Sequence, residues 1–298
     1  MLPHKSCEAF LAVVETGSFE QAAMRLHITA SAVTLRVQSL EKQLGHTLIL
    51  RERPCRVTAI GQTLLEHLQH QRLMEQNLLQ QLKGKSEDSS FYKLNIATNA
   101  DSLETWLLPT IQPTLIQEKI TINLMIDDQS QTHQLMETGV VNACISSEAT
   151  NMKGCVTHKL GAMRYLIVAT PEFQRTWFKN GVTRESLRHA PAVIFNDKDQ
   201  LHSDVIVKLF GLNMQSYPYH FIPSAAAFSE AISLGLGFGM VPEIQIQNEL
   251  NQGKLINLIP SAETDVNLYW HHWKQQSEPL KILTHVLVKQ AQTIMIQN

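Results

Sequence analysis

Residues 18–61 read SFEQAAMRLHITASAVTLRVQSLEKQLGHTLILRERPCRVTAIG, and this stretch decides the fold of the N-terminal part of the chain. Ser18 is placed to cap a helix beginning at Phe19, and Gln21, three residues on, is the reciprocal partner of a capping box. Ala22, Ala23 and Leu26 give that short helix an apolar face whose small residues let a second helix approach closely. His27 and Ile28 make a turn. Thr29 caps the next helix, in which Val33, Val37, Leu40 and Leu44 recur at i, i+4, i+7 and i+11 and so face inward. At about 100° per residue, Ser31, Thr34, Leu35, Gln38 and Lys42 fall on the opposite face, with Arg36 on its flank. Hydroxyl, amide and cationic groups near a helix N-terminus are those that reach base edges and phosphates in a major groove.

The flanks complete the unit. Upstream, Ser6, Ala9, Phe10, Val13 and Val14 mark a first helix that stops at Gly17. Downstream, Arg51, Arg53 and Arg56 surround Pro54 in a hairpin suited to gripping phosphates. The expected architecture is an all-α winged helix-turn-helix over residues 2–58, with the helix-turn-helix at about 19–38 and double-stranded DNA as partner. Ser31, Thr34, Leu35, Arg36 and Gln38 are the candidate base readers, and Arg51, Arg53 and Arg56 the candidate phosphate contacts.

The segment GSFEQAAMRLHITASAVTLRVQSLEKQLGHTLILR, followed by VTAIGQTLL, resembles the N-terminal motif of the LysR-type transcriptional regulators. Two positions depart from that family's usual pattern: Ala30 stands where glutamine is common, and Leu35 where a polar residue is common. Leu35 would offer the apolar contact that a thymine methyl accepts.

Of 298 residues, 44% are apolar and 17% charged, which suits a globular chain with room for two domains. The net charge of −2 divides unevenly, with residues 1–85 at +3 and the remainder at −5. So modest a positive charge points to two or four copies acting together on DNA. Cys7, Cys55, Cys144 and Cys155 have no C-x-x-C pairing or metal-ligand spacing and read as free thiols in a reducing compartment. The N-terminus MLPHKSCEAF lacks a charged region followed by an apolar core, and no stretch is apolar over the roughly 18 residues of a membrane span. A cytoplasmic protein without membrane contact is expected.

From Thr58, Leu64, Leu65, Leu68, Leu73, Leu78, Leu79 and Leu82 recur at helical spacing without a breaker. A single helix cannot bury such a stripe, so residues 59–90 read as a linker helix that pairs two copies. The polar GKSEDSS at 84–90 marks the boundary. Beyond it, KLNIAT, ITINLMID and ACISS alternate with helices, implying parallel strands with crossover helices. RYLIVAT opens a second series through PAVIF, YHFIP, a Ser/Ala helix at 224–234, FGMVP and a helix from Glu243, before NLYWHHW and a terminal helix from Pro279. Two α/β lobes are expected in an effector domain at 91–298, lobe I from 91–163 and 267–298, lobe II from 164–266. The resemblance implies a fold of the periplasmic-binding-protein type II kind for it.

TNADSLETWLLP, HKLGAMRYLIVAT, NGVTR, IQNELNQGKLINLIP and LYWHHW narrow the resemblance to the ArgP/LysG subgroup of regulators of basic amino acid export. It implies lysine or arginine as effector and an amino acid exporter among the targets. A homodimer, a homotetramer through the sensor domains, and RNA polymerase as a further partner complete the expected assemblies.

From the residues themselves, Asn99, Asp101 and Ser102 stand where a strand passes into a helix, whose free amides favour a carboxylate. Asp127 and Asp128 end the next strand, and Ser146, Ser147 and Glu148 the third. Ligands of open α/β sheets bind at such carboxyl ends, and a cationic ligand group needs Asp127, Asp128 or Glu148 as counter-charge. Asp101 could instead merely cap its helix, and the aspartate pair merely start a turn. In the second lobe, Asn196, Asp197, His202 and Ser224 are candidates by position alone.

Three signals are set aside. GLGFGM at 235–240 precedes a strand and does not follow one, so it reads as a helix end and turn. His271 and His272 alternate across a strand and cannot share a metal. No G-x-S-x-G elbow or other nucleophile setting appears, so neither an enzyme nor a cofactor is expected. Two other readings remain: a low-specificity chromosome-binding protein, and a solute receptor without a DNA role.

Overall fold

A computed structural model of the chain describes residues 2–83, 91–127, 132–137, 140–150, 152, 154–197 and 199–297. The polar stretch 84–90 and Asp128 lie outside them. The chain divides into two compact units, Met1–Gly84 with Glu137–Val141, and Lys85–Met136 with Asn142–Asn298.

In the first unit, α1 (His4–Thr16) stops at Gly17, which takes the left-handed conformation at φ 68° that closes a helix without a Cβ penalty. Next comes α2 (Phe19–Leu26), with Ser18 Oγ accepting the Gln21 N–H at 3.4 Å. The Ser18 hydroxyl donates to Glu20 Oε2 at 2.7 Å, so the cap is one-sided and is not the reciprocal box expected with Gln21. Thr29 caps α3 (Ala30–Leu44) by accepting the Ala32 N–H at 3.2 Å. Val33, Val37 and Leu40 are fully buried against Phe10, Val13, Ala22 and Leu48, as the apolar stripe requires, with Leu44 packed at the edge.

The wing is a short antiparallel pair, β1 (Ile49–Leu50) and β2 (Arg56–Val57). Glu41 Oε1 accepts the N–H groups of Leu48 and Ile49 at 2.8 and 3.3 Å, which ties the root of the wing to α3. Then follows α4 (Ala59–Lys83), with Thr58 Oγ1 accepting the Gly61 N–H at 3.0 Å and donating to the Thr47 carbonyl at 2.8 Å. Leu64, Leu65 and Leu68 of α4 are buried in the helix-turn-helix core, so these three leave the stripe expected to face another copy. A Cβ at Gly61 would overlap the Leu48 carbonyl at this junction. Gly61→Ala is therefore expected to cost about 1–3 kcal/mol, read as a lower urea midpoint for loss of the N-terminal helices.

The second unit begins with β3 (Tyr92–Thr98), then a run of helical turns comprising α5 (Ala100–Ser102), a π-turn at Leu103–Leu107 and α6 (Leu108–Gln117). β4 (Ile120–Ile126), α7 (Thr132–Glu137) and β5 (Ala143–Ser146) complete lobe I's parallel core. The crossing strand β6 (Cys155–Ala169) leads to α8 (Pro171–Trp177), α9 (Arg184–His189), β7 (Ala192–Ile194), α10 (Gln200–Phe210) and β8 (Tyr219–Phe221). After α11 (Ala225–Ser233), β9 (Gly239–Pro242), α12 (Glu243–Asn251) and β10 (Ile256–Asn257), the chain returns through β11 (Thr264–Trp273) to α13 (Glu278–Ile294).

Strand order is β10-β6-β11-β5-β3-β4, with β9 also paired to β6, while β7 and β8 form a separate parallel pair. The long strands β6 and β11 run antiparallel and serve both lobes, so the sheet is mixed where alternation alone suggested parallel. RYLIVAT continues a strand that began at Cys155 and runs through Gly161, whereas the sequence suggested that it opens a new series. Gly161 sits inside β6 at φ 130°, where a side chain would collide with Met295 and with Gln297, and Ala162 and Ile296 exchange backbone hydrogen bonds beside it. The turn at 235–240 is as expected: α11 ends at Ser233, Gly235 has φ 80°, and β9 begins at Gly239.

Candidate functional site

The outer face of α3 presents Ser31, Leu35 and Gln38 to solvent, with Thr34 and Arg36 half-buried. Thr34 Oγ1 donates to the Ala30 carbonyl at 2.9 Å, and Ser31 Oγ lies 3.0 Å from Thr29 Oγ1. Arg51, Arg53 and Arg56 are all exposed on or beside the wing. The Arg51 guanidinium sits over the Phe19 ring at 5.5 Å, a cation–π contact that orients it. The Glu20 carboxyl is held below the usual range by the Ser18 hydroxyl and its own backbone N–H, with the nearby Arg53 charge adding to the effect. Cations and amide thus flank one exposed leucine on a two-helix platform.

The second site is a cleft of about 580 Å³ within the C-terminal unit. Asn99, Ala100 and Asp101 reach it from the end of β3, Asp127 from the end of β4, Ser147 from the end of β5, and Phe195, Asn196 and Asp197 from the end of β7. Gln200 at the start of α10 and Asp204 about one turn further along it add to the lining, and Asp199 just before the helix caps it by accepting the His202 N–H at 3.2 Å. Tyr165 of β6 donates its hydroxyl to Asp101 Oδ2 at 2.6 Å and so fixes that carboxylate. Five aspartates line the cleft, with no Lys, Arg or His among its described lining residues. Such a concave surface concentrates negative potential and favours a cation. Beside it, Asn99 Oδ1 and Ser102 Oγ are buried without a hydrogen-bond partner among the described residues.

The structure gathers Asn99, Asp101, Asp127, Ser147, Asn196 and Asp197 in one place. Other candidates stand elsewhere. Ser146 is buried with its Oγ accepting the Glu148 N–H at 3.1 Å, Glu148 is exposed outside the cleft, and Ser224 is exposed ahead of α11. His202 is buried behind the lining, its ring packed near Tyr217 and Phe238. Position-based reading missed Tyr165, Asp199 and Asp204. The capping pattern of Asp199 before QLHSDVIVKLF and the stop at Gly211 was the available signal.

His271 and His272 serve the sheet. His271 donates from Nε2 to the Glu148 carbonyl at 2.9 Å and so accepts from Thr157 at Nδ1, also 2.9 Å. His272 donates from Nδ1 to the Trp273 carbonyl at 2.8 Å, leaving Nε2 to accept from His158 at 3.1 Å. No group of three or more His, Cys, Asp or Glu placed to hold a metal occurs among the described residues. Nor is any described helix long and apolar enough to cross a membrane.

Burial lowers the pKa of both His202 and His272, opposed at His202 by the Asp199 charge. At His272 the Trp273 carbonyl opposes burial and His158 reinforces it. The folded chain therefore keeps both neutral where the unfolded chain, near the ordinary value of about 6.5, takes up protons. Their stability contribution is complete above that value and falls as pH drops below it, by at most about 1.4 kcal/mol per pH unit for each. Urea midpoints at pH 7.5 and 5.5 are expected to show this loss, and His202→Leu to lessen it.

Comparison with known proteins adds three findings. Residues 4–62 match the model of the bacterial regulatory helix-turn-helix proteins of the lysR family, and residues 92–292 that of the LysR substrate binding domain. The HTH-type transcriptional regulator ArgP of Photobacterium profundum is 40% identical over 96% of each chain. Two solved structures are similar over the whole chain. ArgP from Mycobacterium tuberculosis has 33% identity and a TM-score of 0.84, covering 100% of both chains. LysG from Corynebacterium glutamicum with bound effector Arg has 31% identity and a TM-score of 0.76, covering 99% of both.

Proposed function

The chain belongs to the LysR family of bacterial regulatory helix-turn-helix proteins, and we propose that it is a DNA-binding transcriptional regulator set by a basic amino acid, lysine or arginine. The observation that carries the effector reading is the cleft lined by Asp101, Asp127, Asp197, Asp199 and Asp204, with no basic side chain among its described lining residues. An ammonium or guanidinium group would be held by these carboxylates through charge-assisted hydrogen bonds. The ligand carboxylate would meet the amides at the start of the helical run after Asn99, with the Asn99 and Ser102 side chains close by. Bound arginine in the similar LysG structure supports the same class of ligand.

Residues 2–58 form the DNA-reading domain in this proposal, 59–90 the linker and 91–298 the sensor. Ser31, Thr34, Leu35, Arg36 and Gln38 read bases, while Arg51, Arg53 and Arg56 hold phosphates. Two copies pair through α4, beyond the leucines already spent on the N-terminal core, where Leu78 is exposed. Sensor contacts then join dimers, and the complex acts on double-stranded DNA in the cytoplasm with RNA polymerase as the downstream partner. The effector must bind two assembly geometries unequally to switch anything.

Thermal denaturation of the full chain against each of the twenty amino acids tests the effector reading. Lysine or arginine should raise the midpoint of the sensor transition, while neutral and acidic ones leave it in place. Stabilisation by a neutral amino acid alone would overturn it.

A further inference from the structure

Leu35 is 66% exposed at the sixth position of α3, in the half of the helix that enters a major groove. It belongs to no hydrophobic cluster among the described residues: the buried stripe of α3 is Val33, Val37 and Leu40. Around it the polar groups are partly engaged already. Thr34 donates to its own helix, and Ser31 shares a hydrogen bond with Thr29. Gln38 and Arg36 flank it and no other large apolar side chain of α3 is exposed, so the surface complementary to this helix is polar and anionic with one apolar spot, unlike the continuous apolar face of a protein partner. In the major groove that spot is the C5-methyl group of thymine, the one apolar handle the base edges offer.

Resting on the reading of this chain as a DNA-binding regulator, we infer that Leu35 is a specificity-determining residue that selects a 5-methylated pyrimidine, ordinarily thymine, at one position of each half-site. The selection is by burial of the methyl against the leucine and needs no hydrogen bond from this side chain. A cytosine methylated at C5 presents the same group on the same edge and satisfies the same contact. Removing the methyl removes about one buried carbon, which corresponds to a loss of roughly three- to five-fold in affinity at each such position.

The test selects double-stranded sites from a random pool with the full-length chain. Each thymine of a selected site is then replaced singly by deoxyuridine, and affinities are measured for the chain and for Leu35→Ser. Because Leu35 is exposed, the variant should keep the fold, checked by an unchanged thermal midpoint. The inference expects one deoxyuridine position per half-site to cost the parent chain three- to five-fold and Leu35→Ser less than about 1.5-fold. At that position a C·G pair should bind better when the cytosine carries a 5-methyl group. A parent chain indifferent to every deoxyuridine, or a penalty equal in Leu35→Ser, overturns the role of Leu35 while leaving DNA recognition intact. Failure to enrich any site overturns both.

Discussion

Replacing Asp101 by asparagine is expected to weaken lysine or arginine binding on the order of ten- to a hundred-fold, the scale of a hydrogen bond to a charged group. Asp101 is the cleft carboxylate already held in place, by the Tyr165 hydroxyl at 2.6 Å, and so presents its charge to a ligand at little entropic cost. Neutralising Asp127 as well should compound the loss, because an ammonium or guanidinium would then face fewer of the five carboxylates. The control is Glu148→Gln: that residue is exposed outside the cleft and should leave affinity unchanged. Calorimetric titration of arginine into the parent chain and these three variants decides it, and equal affinities across all four would exclude the cleft as the effector site.

The second large effect belongs to the wing. Removing Arg51, Arg53 and Arg56 together should lower DNA affinity on the order of 10²-fold for each bound copy at physiological salt, about five-fold for each phosphate that no longer meets an arginine. The slope of log K against log salt should shrink by roughly 0.9 for each such phosphate, and the loss should be similar for cognate and random DNA, since phosphates carry no sequence information. Substitutions at Gln38 or Leu35 should behave oppositely, altering base preference with little change in slope. Arg51 alone should cost more than its share of phosphate binding, because its stacking on Phe19 also anchors the wing to α2.

The N-terminal unit was legible because its signals are local. Ser18, Thr29 and Gly17 act within four residues of themselves, and the stripe Val33, Val37, Leu40 repeats within one helix. The linker was only partly legible. Leucines at helical spacing look the same whether they meet another copy or the same chain, and Leu64, Leu65 and Leu68 turn inward to the core of their own unit.

In the sensor, strand ends could be located but the direction of the chain beyond them could not. Asp127 and Ser147 turn into the cleft, whereas Glu148, one residue further, is exposed outside it. Tyr165 and Asp101 meet across 64 residues of sequence, and Asp199 and Asp204 arrive on a helix whose position depends on the whole second lobe. Gly161 imitates a strand break, yet its positive φ and missing side chain serve the close approach of the C-terminal segment. In each case the missing information was tertiary.

An effector-responsive, sequence-reading regulator is tested most directly by fluorescence anisotropy of the full chain on its selected double-stranded site, against random DNA, with and without arginine or lysine. The expected result is at least about 10³-fold preference for the selected site, steep salt dependence, and an affinity shifted by the basic amino acid but not by leucine. Equal affinity for random and selected DNA, or a DNA affinity that no basic amino acid changes, would contradict it.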